Sequence, residues 1–541
     1  MVILNILFQL LLNTTMKKKL FSLYYIMSVN LSLNSKFSLK KELPCSEETY
    51  FFAPAGGDKT YSPGDPIVFR PSFDKSKLRC IYGHQSYIYF EVIFSFNAFG
   101  GPIYLDSSSN CFFNRILVTG NGGVLQDFNK SNVYLPCVYD LTCSRSTRSS
   151  FFSFFGNSID SQSVAYTVAA ATGVTQTTIT PVANAFNQNN LQTAINNMAI
   201  NNNHIRRGLP IFNTNVNATP AIIAGTISKQ FAAIIPSFFG AFAQRIFPIS
   251  ELAGSNFDLE IYTDTQQNAI VDPGVSMATG AFLSSYVMDK LRLVLSVVEY
   301  SELITETIRR SYNNTFTIPC VSMQTFTQNL TTGSQSIQNF TWPITATLKN
   351  AKGILFTFRS SNIVSQQQQY SLSSRSSMGI TNAQLVIGPY TFPKNRQLMY
   401  EASGTITSGI PHPNYFMSAM KYFGQNVDCR SNCSTDYTNF NYATNTYTYV
   451  YPTNLPNPGS TFVLAFNLEG LHENDAEFRS CISLDGNSTV INLITGIQTS
   501  TVATDTMIAD CFVMYEFDVV ISNGTAVAIN KYTGFDNIDA K

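Results

Sequence analysis

The sequence predicts an all-β protein, and three observations carry that prediction. Strand formers dominate: 42 Phe and 27 Tyr stand against a single Trp. Thr, Ser, Asn and Val fill much of the rest, a mixture suited to short strands joined by polar loops. An extended helical bundle would need far more Glu, Lys, Ala and Leu, yet charged residues reach only 13%. Finally, apolar residues recur at period two, the mark of a strand buried on one face. In FDLEIYT, Phe257, Leu259 and Ile261 point towards an interior, with Asp258, Glu260 and Tyr262 on the other side.

That segment closes the stretch around which the chain is organised, residues 231–263. Apolar runs at 231–242 and 246–252 flank Gln244 and Arg245. Their combined length raises a membrane span, but Pro236, Pro248 and the polar pair break the helix a span requires. The stretch reads instead as a buried loop and strand entering a β-sandwich, with Gly240 allowing a tight backbone approach. No membrane span is expected.

Residues 1–27 hold two apolar runs separated by Lys17, Lys18 and Lys19. Read from Met16 they imitate a secretory signal, though no small-x-small cleavage site follows. The alternative is translation from Met27; Met1, Met16 and Met27 all stay open as the start. From Cys45 the globular part begins. Residues 61–71 form a turn at Pro63 and Gly64 followed by a strand, and 86–96 is a strand of strong β-formers. Within 100–128, Phe113, Arg115 and Leu117 alternate with Asn114, Ile116 and Val118. Asn121-Gly122-Gly123 then makes a tight turn into a second strand. Residues 156–203, rich in Asn, Gln, Thr and Ala, form a long surface excursion with a short helix at 187–200. Residues 290–303 are another strand, and 305–320 a connection into a second block.

That block repeats the style of the first. Its strands fall at 344–360, 382–392, 460–468 and 510–529, with an Asn/Tyr/Thr-rich loop at 415–456. In the last strand Phe512, Met514 and Glu516 share a face, and a charge on an inner face needs a partner. Two blocks of similar size and style suggest a duplicated sandwich.

Nothing in the sequence assembles a catalytic site. His84, His204, His412 and His472 are isolated, with no HExxH or GxSxG. Gly120, Gly122 and Gly123 lack the Lys-Ser/Thr and helix of a phosphate-binding loop. Glu469 with Glu473 and Asp475 could be imagined as a glycosidase pair, but charge clusters belong to solvated loops. Cys137 and Cys143 lie close together, as do Cys429 and Cys433; Cys45, Cys80, Cys111, Cys320, Cys481 and Cys511 are scattered. None forms the C-x2-C pairs a zinc site prefers, so buried free thiols are expected. The sequons at Asn129, Asn217, Asn329, Asn339 and Asn523 arise by chance in an Asn- and Thr-rich chain. The reading is therefore no enzyme, no catalytic, cofactor-binding or metal residues, and no cofactor. Lys+Arg and Asp+Glu balance at 34 each, which argues against nucleic-acid binding, since neutralising phosphates needs a basic excess.

The second block resembles the major capsid proteins of virophages and polinton-like viruses, in the double jelly-roll lineage that includes adenovirus hexon. The similar segments are KGILFTFRSSNIVSQ, ITNAQLVIGPYTFPKNRQLMYEASG and CFVMYEFDVVISNGTAVAI. In the first block the resemblance lies in PIYLDSSSNCFFNRILVTGNGGVLQDF and IPSFFGAFAQRIFPI. It covers roughly residues 45–529 as a diffuse pattern, and residues 1–27 have no counterpart. The resemblance implies two consecutive eight-stranded jelly-roll sandwiches with long loops: an N-terminal extension at 1–44, a first jelly roll at 45–305 and a second at 306–541. It also implies a virion major capsid protein that forms homotrimers and tiles an icosahedral shell with neighbouring capsomers, penton and minor capsid proteins. The loops at 156–203 and 415–456 would then be outward towers. A secreted or cell-surface β-sandwich adhesin is the other class, to which the signal-like N-terminus and sequons point.

Overall fold

The computed structural model describes residues 45–96, 103–121, 123–144, 166–170, 177–181, 207–211, 225–252, 257–271, 283–331, 337–360, 375, 380–398, 414–424, 462–469, 481–496 and 506–529. The first half of the chain supplies β1 (Cys45–Phe52), β2 (Pro66–Phe69), β3 (Arg79–Ile81), β4 (Tyr87–Phe96), β5 (Ile103–Asp106), β6 (Phe113–Gly120) and β7 (Gly123–Asn129). Helix α1 (Ser131–Thr142) follows, then β8 (Tyr166–Ala170), β9 (Thr177–Pro181), β10 (Arg207–Ile211), β11 (Gly225–Ile234) and β12 (Phe257–Thr263). A short α2 (Gln266–Ala269), β13 (Ile270–Val271) and β14 (Leu283–Tyr300) complete it.

Helix α3 (Glu302–Ser311) leads to β15 (Thr315–Thr331), β16 (Ile337–Ile344), β17 (Ala351–Ser360), β18 (Ile380–Ile387) and β19 (Tyr390–Leu398). Helix α4 (Asn414–Tyr422), β20 (Leu464–Asn467), β21 (Thr489–Gly496), β22 (Thr506–Ser522) and β23 (Thr525–Ile529) end the described chain.

The topology repeats. In the first half one sheet runs β1-β14-β4-β11, with β3 also on β14, and the facing sheet runs β2-β12-β6-β7. Numbering those eight strands by order of appearance gives first-eighth-third-sixth against second-seventh-fourth-fifth. In the second half the sheets run β15-β22-β17-β20, with β23 on β22, and β16-β21-β18-β19. Numbered the same way, the order is identical. This is the jelly-roll wrapping, in which successive strands pass back and forth between two antiparallel sheets. The fold is a double jelly roll, two consecutive eight-stranded sandwiches. Small additions decorate the first: a β10-β5-β13 sheet and a β8-β9 hairpin.

The alternations put the core where the sequence predicts. Along β4, Ile88, Phe90, Val92, Phe94 and Phe96 are buried, and Phe90 meets Phe113 edge-on at 5.3 Å between ring centroids. Phe257, Leu259 and Ile261 are buried. In β6 the expected alternation breaks: Phe113, Ile116 and Val118 take the interior and Arg115 and Leu117 are half-buried, because pairing with β12 shifts register between Tyr262 and Thr263. The stretch at 231–252 is a strand end, an irregular buried loop and a 3-10 turn at Ile249–Leu252, not a spanning helix. Gly240 is required there: a Cβ would sit 2.1 Å from the Ile235 carbonyl oxygen, which the loop folds over to donate from Ala241 N at 2.7 Å. Among the described residues no helix is long and apolar enough to cross a membrane.

Several expectations need correction. The excursion at 156–203 contains the β8-β9 hairpin; its expected helix at 187–200 lies outside the described residues. The connection at 305–320 is α3 followed by the start of β15, a 17-residue strand paired along its whole length with β22. The strand expected at 290–303 is β14; it starts earlier, and a register shift between Asp289 and Arg292 interrupts its pairing with β4. The strands expected at 382–392 and 510–529 are hairpins, turning at Gly388 and at Asn523-Gly524, where positive φ breaks the extended run. The loop at 415–456 opens with α4, whose Tyr415, Ala419, Met420 and Tyr422 are buried; beyond Gly424 it lies outside the described residues. Helix α1 was not foreseen. It is buried nearly all round and carries Pro136 in its interior, so neither a one-sided stripe nor helix-favouring composition marks it.

Candidate functional site at the seam between the sandwiches

The seam explains why β22 is buried on both faces. Cys511, opposite Phe356 of β17, lies on the side turned to the facing sheet, where Phe356 meets Trp342 of β16 at 5.5 Å. Phe512 lies on the other side and packs on Tyr134 of α1 at 5.2 Å. Phe512 is therefore not on an inner face of the second sandwich; it is turned to the first. Glu516 is buried, with Cys481 Sγ at 4.0 Å from its carboxylate.

Helix α1 is anchored to β6 by Ser131 Oγ, which donates to the Phe113 carbonyl at 2.7 Å. At its start Lys130 takes left-handed backbone angles (φ 58°) and its ammonium crosses the seam to the Asp510 carboxylate. Arg359 of β17 pairs with the other Asp510 oxygen. Thr327 of β15 donates to Asp510 Oδ1 at 2.9 Å and accepts from Lys130 Nζ at 2.7 Å. Asp510 is fully buried and Arg359 is 4% exposed. Burial opposes ionisation of this carboxyl, but the charges of Arg359 and Lys130 outweigh it and hold its pKa below the usual value.

A second ion pair joins Asp140 of α1 to Arg375, both fully buried. Apolar contacts extend the seam: Phe238 meets Phe517 at 5.9 Å, and a Cβ on Gly120 would be 3.3 Å from that of Ala526. Helix α3 is pinned to the first sandwich as well. Arg309 reaches Glu251 at 2.7 Å, and Thr305 Oγ1 accepts from Leu78 N at 2.9 Å. Beside it lies an apolar cavity of about 40 Å³, lined among others by Leu78, Cys80, Ile246, Pro248, Ile308 and Phe316.

The residues singled out in the sequence do not converge. His84 is exposed on a 3-10 turn beside Tyr82, while His204, His412 and His472 lie outside the described residues. Gly120 closes the seam rather than a phosphate loop. Glu469 is not on a solvated loop, because it pairs with the buried Lys352 at 2.9 Å; Glu473 and Asp475 lie outside the described residues. Cys80, Cys111 and Cys511 are buried thiols whose pKa values burial pushes up. Cys429, Cys433 and Asn217 fall outside the described residues, whereas Asn129, Asn329, Asn339 and Asn523 are exposed.

This architecture defines a class, the double jelly-roll proteins. Solved structures to which this chain is similar come from viral particles. A chain of the Sputnik virophage structure matches with a TM-score of 0.55 at 13% identity, over 91% of this chain and 89% of that one. VP54 of PBCV-1, fitted into a reconstruction of Sputnik, matches with a TM-score of 0.51 at 9% identity, over 91% and 98%. A chain of the PBCV-1 virus capsid gives 0.51 at 10% identity with the same coverage. No protein-family model and no curated protein matches the sequence.

Proposed function

We infer that this chain is the major capsid protein of a double-stranded DNA virus, a homotrimer forming pseudo-hexagonal capsomers of an icosahedral shell. The observation that carries the reading is the repeated strand order in two sandwiches joined by a buried seam. Three copies around a threefold axis present six similar lobes, and a rigid seam keeps the two lobes of each copy in register. Such a ring needs a heterologous interface that closes on itself, buries more than about 2,000 Å² and is apolar at its centre.

The strand pairing supports a first jelly roll at 45–305, a second at 306–541 and an extension at 1–44. Zero net charge favours dense packing, since like-charged subunits would repel. The partners are the chain itself, neighbouring capsomers, and penton and minor capsid proteins, with localisation in virions assembled inside the host cell. No enzymatic activity, cofactor, metal or sequence-specific nucleic-acid binding is part of this function. The segments at 156–203 and 415–456 are the outward towers.

The test is expression from Met27, sedimentation at micromolar concentration and electron microscopy of the product. Trimers and hexagonal arrays are expected. A stable, glycosylated monomer would overturn this reading and promote the adhesin.

A further inference from the structure

We propose that the seam holds a small monovalent anion, of chloride size, beside the Arg359–Asp510–Lys130 cluster. Thr327, Asp510 and Thr357 stand opposite one another in β15, β22 and β17. They form a polar row on the face turned to the first sandwich. Arg359 lies two residues beyond Thr357 on the same side of β17, and its Nη2 reaches back to Asp510 Oδ2. The side chain that carries its Nε therefore runs back towards the row that holds Thr357. Both the Arg359 Nε and the Thr357 hydroxyl are buried without a hydrogen-bond partner, in residues 4% and 0% exposed. Two orphan donors at one buried place cost free energy unless something accepts from them.

The charge there is also unbalanced. Lys130 and Arg359 bring two positive charges against the single negative charge of Asp510. A water could accept from both donors, but it would bring two hydrogens of its own. Asp510 Oδ1 already takes Lys130 and Thr327, and Oδ2 takes Arg359, which leaves one open acceptor site on this carboxylate for the two hydrogens. A halide accepts from both donors, brings no hydrogen and neutralises the excess charge. The Lys130 ammonium, 29% exposed, gives an anion a charged way in from solvent.

The test is unfolding of the full chain in chloride, bromide and gluconate at matched ionic strength, for wild type and Thr357→Val. That variant keeps the side-chain shape and puts a methyl group in place of the hydroxyl. Raising chloride from about 10 to about 500 mM should raise the folded-to-unfolded ratio of the wild type about tenfold more than that of Thr357→Val, the gain mass action gives for a dissociation constant of about 50 mM. Bromide should replace chloride and show an anomalous scattering peak beside Arg359 in crystals, while gluconate, too large to enter, should not act. If Thr357→Val does not fold, the bromide peak decides alone. Equal midpoints of the wild type in chloride and gluconate, equal chloride responses in both proteins, or no bromide beside Arg359 would overturn the proposal.

Discussion

Replacing Asp510 with alanine removes the carboxylate that pairs with Arg359 in its own sheet and with Lys130 across the seam. Arg359, 4% exposed, is then left charged and buried, and Thr327 loses its acceptor. Breaking a buried pair by deleting one partner costs about 3–5 kcal/mol. At about 2–4 °C per kcal/mol for units of this size, the melting temperature should fall by about 6–20 °C. Lys130→Met should cost less, about 1–3 kcal/mol, because Asp510 keeps Arg359 and Lys130 is partly in water. The assay is calorimetry and urea unfolding at fixed salt. Wild type should unfold in one cooperative transition, and Asp510→Ala should split it as the two sandwiches uncouple. A loss below about 1 kcal/mol with a single transition would refute the view that this cluster joins the sandwiches.

Other outcomes follow from the same structure. Leu259→Ala, at a fully buried position in β12, should cost about 2–5 kcal/mol in urea unfolding. Gly240→Ala should cost about 1–3 kcal/mol or more, read as lost soluble protein or a lowered midpoint, because the loop must move off the Ile235 carbonyl. The Asp510 pKa is lowered in the folded state, so its contribution is complete above the unfolded value of about 4 and disappears as pH falls through the lower folded value. Asp510→Asn should flatten the stability profile at that acid end. Deletion of residues 1–27 should change unfolding free energy by no more than about 1 kcal/mol.

Much of the fold was legible because period-two alternation is local. FDLEIYT, the 86–96 strand and the Asn121 turn each declare themselves within a few residues, and so does the all-β class. The break of the apolar run at Pro236 and Pro248 was equally local, as was the tight approach at Gly240. What only the tertiary structure decided is which face of β22 is inside, since Cys511 and Phe512 are both apolar and both buried. The first sandwich covers what would otherwise be a solvent face of the second, and no local pattern records that. Helix α1 was hidden for the same reason: burial all round removes the stripe that periodicity detects. The seam itself joins Lys130 to Asp510 across 380 residues. Each charge looks like an ordinary surface charge in its own segment. Only the packing of one jelly roll on the other makes them partners, because ion pairing depends on distance in space and on desolvation, neither of which a local sequence window contains.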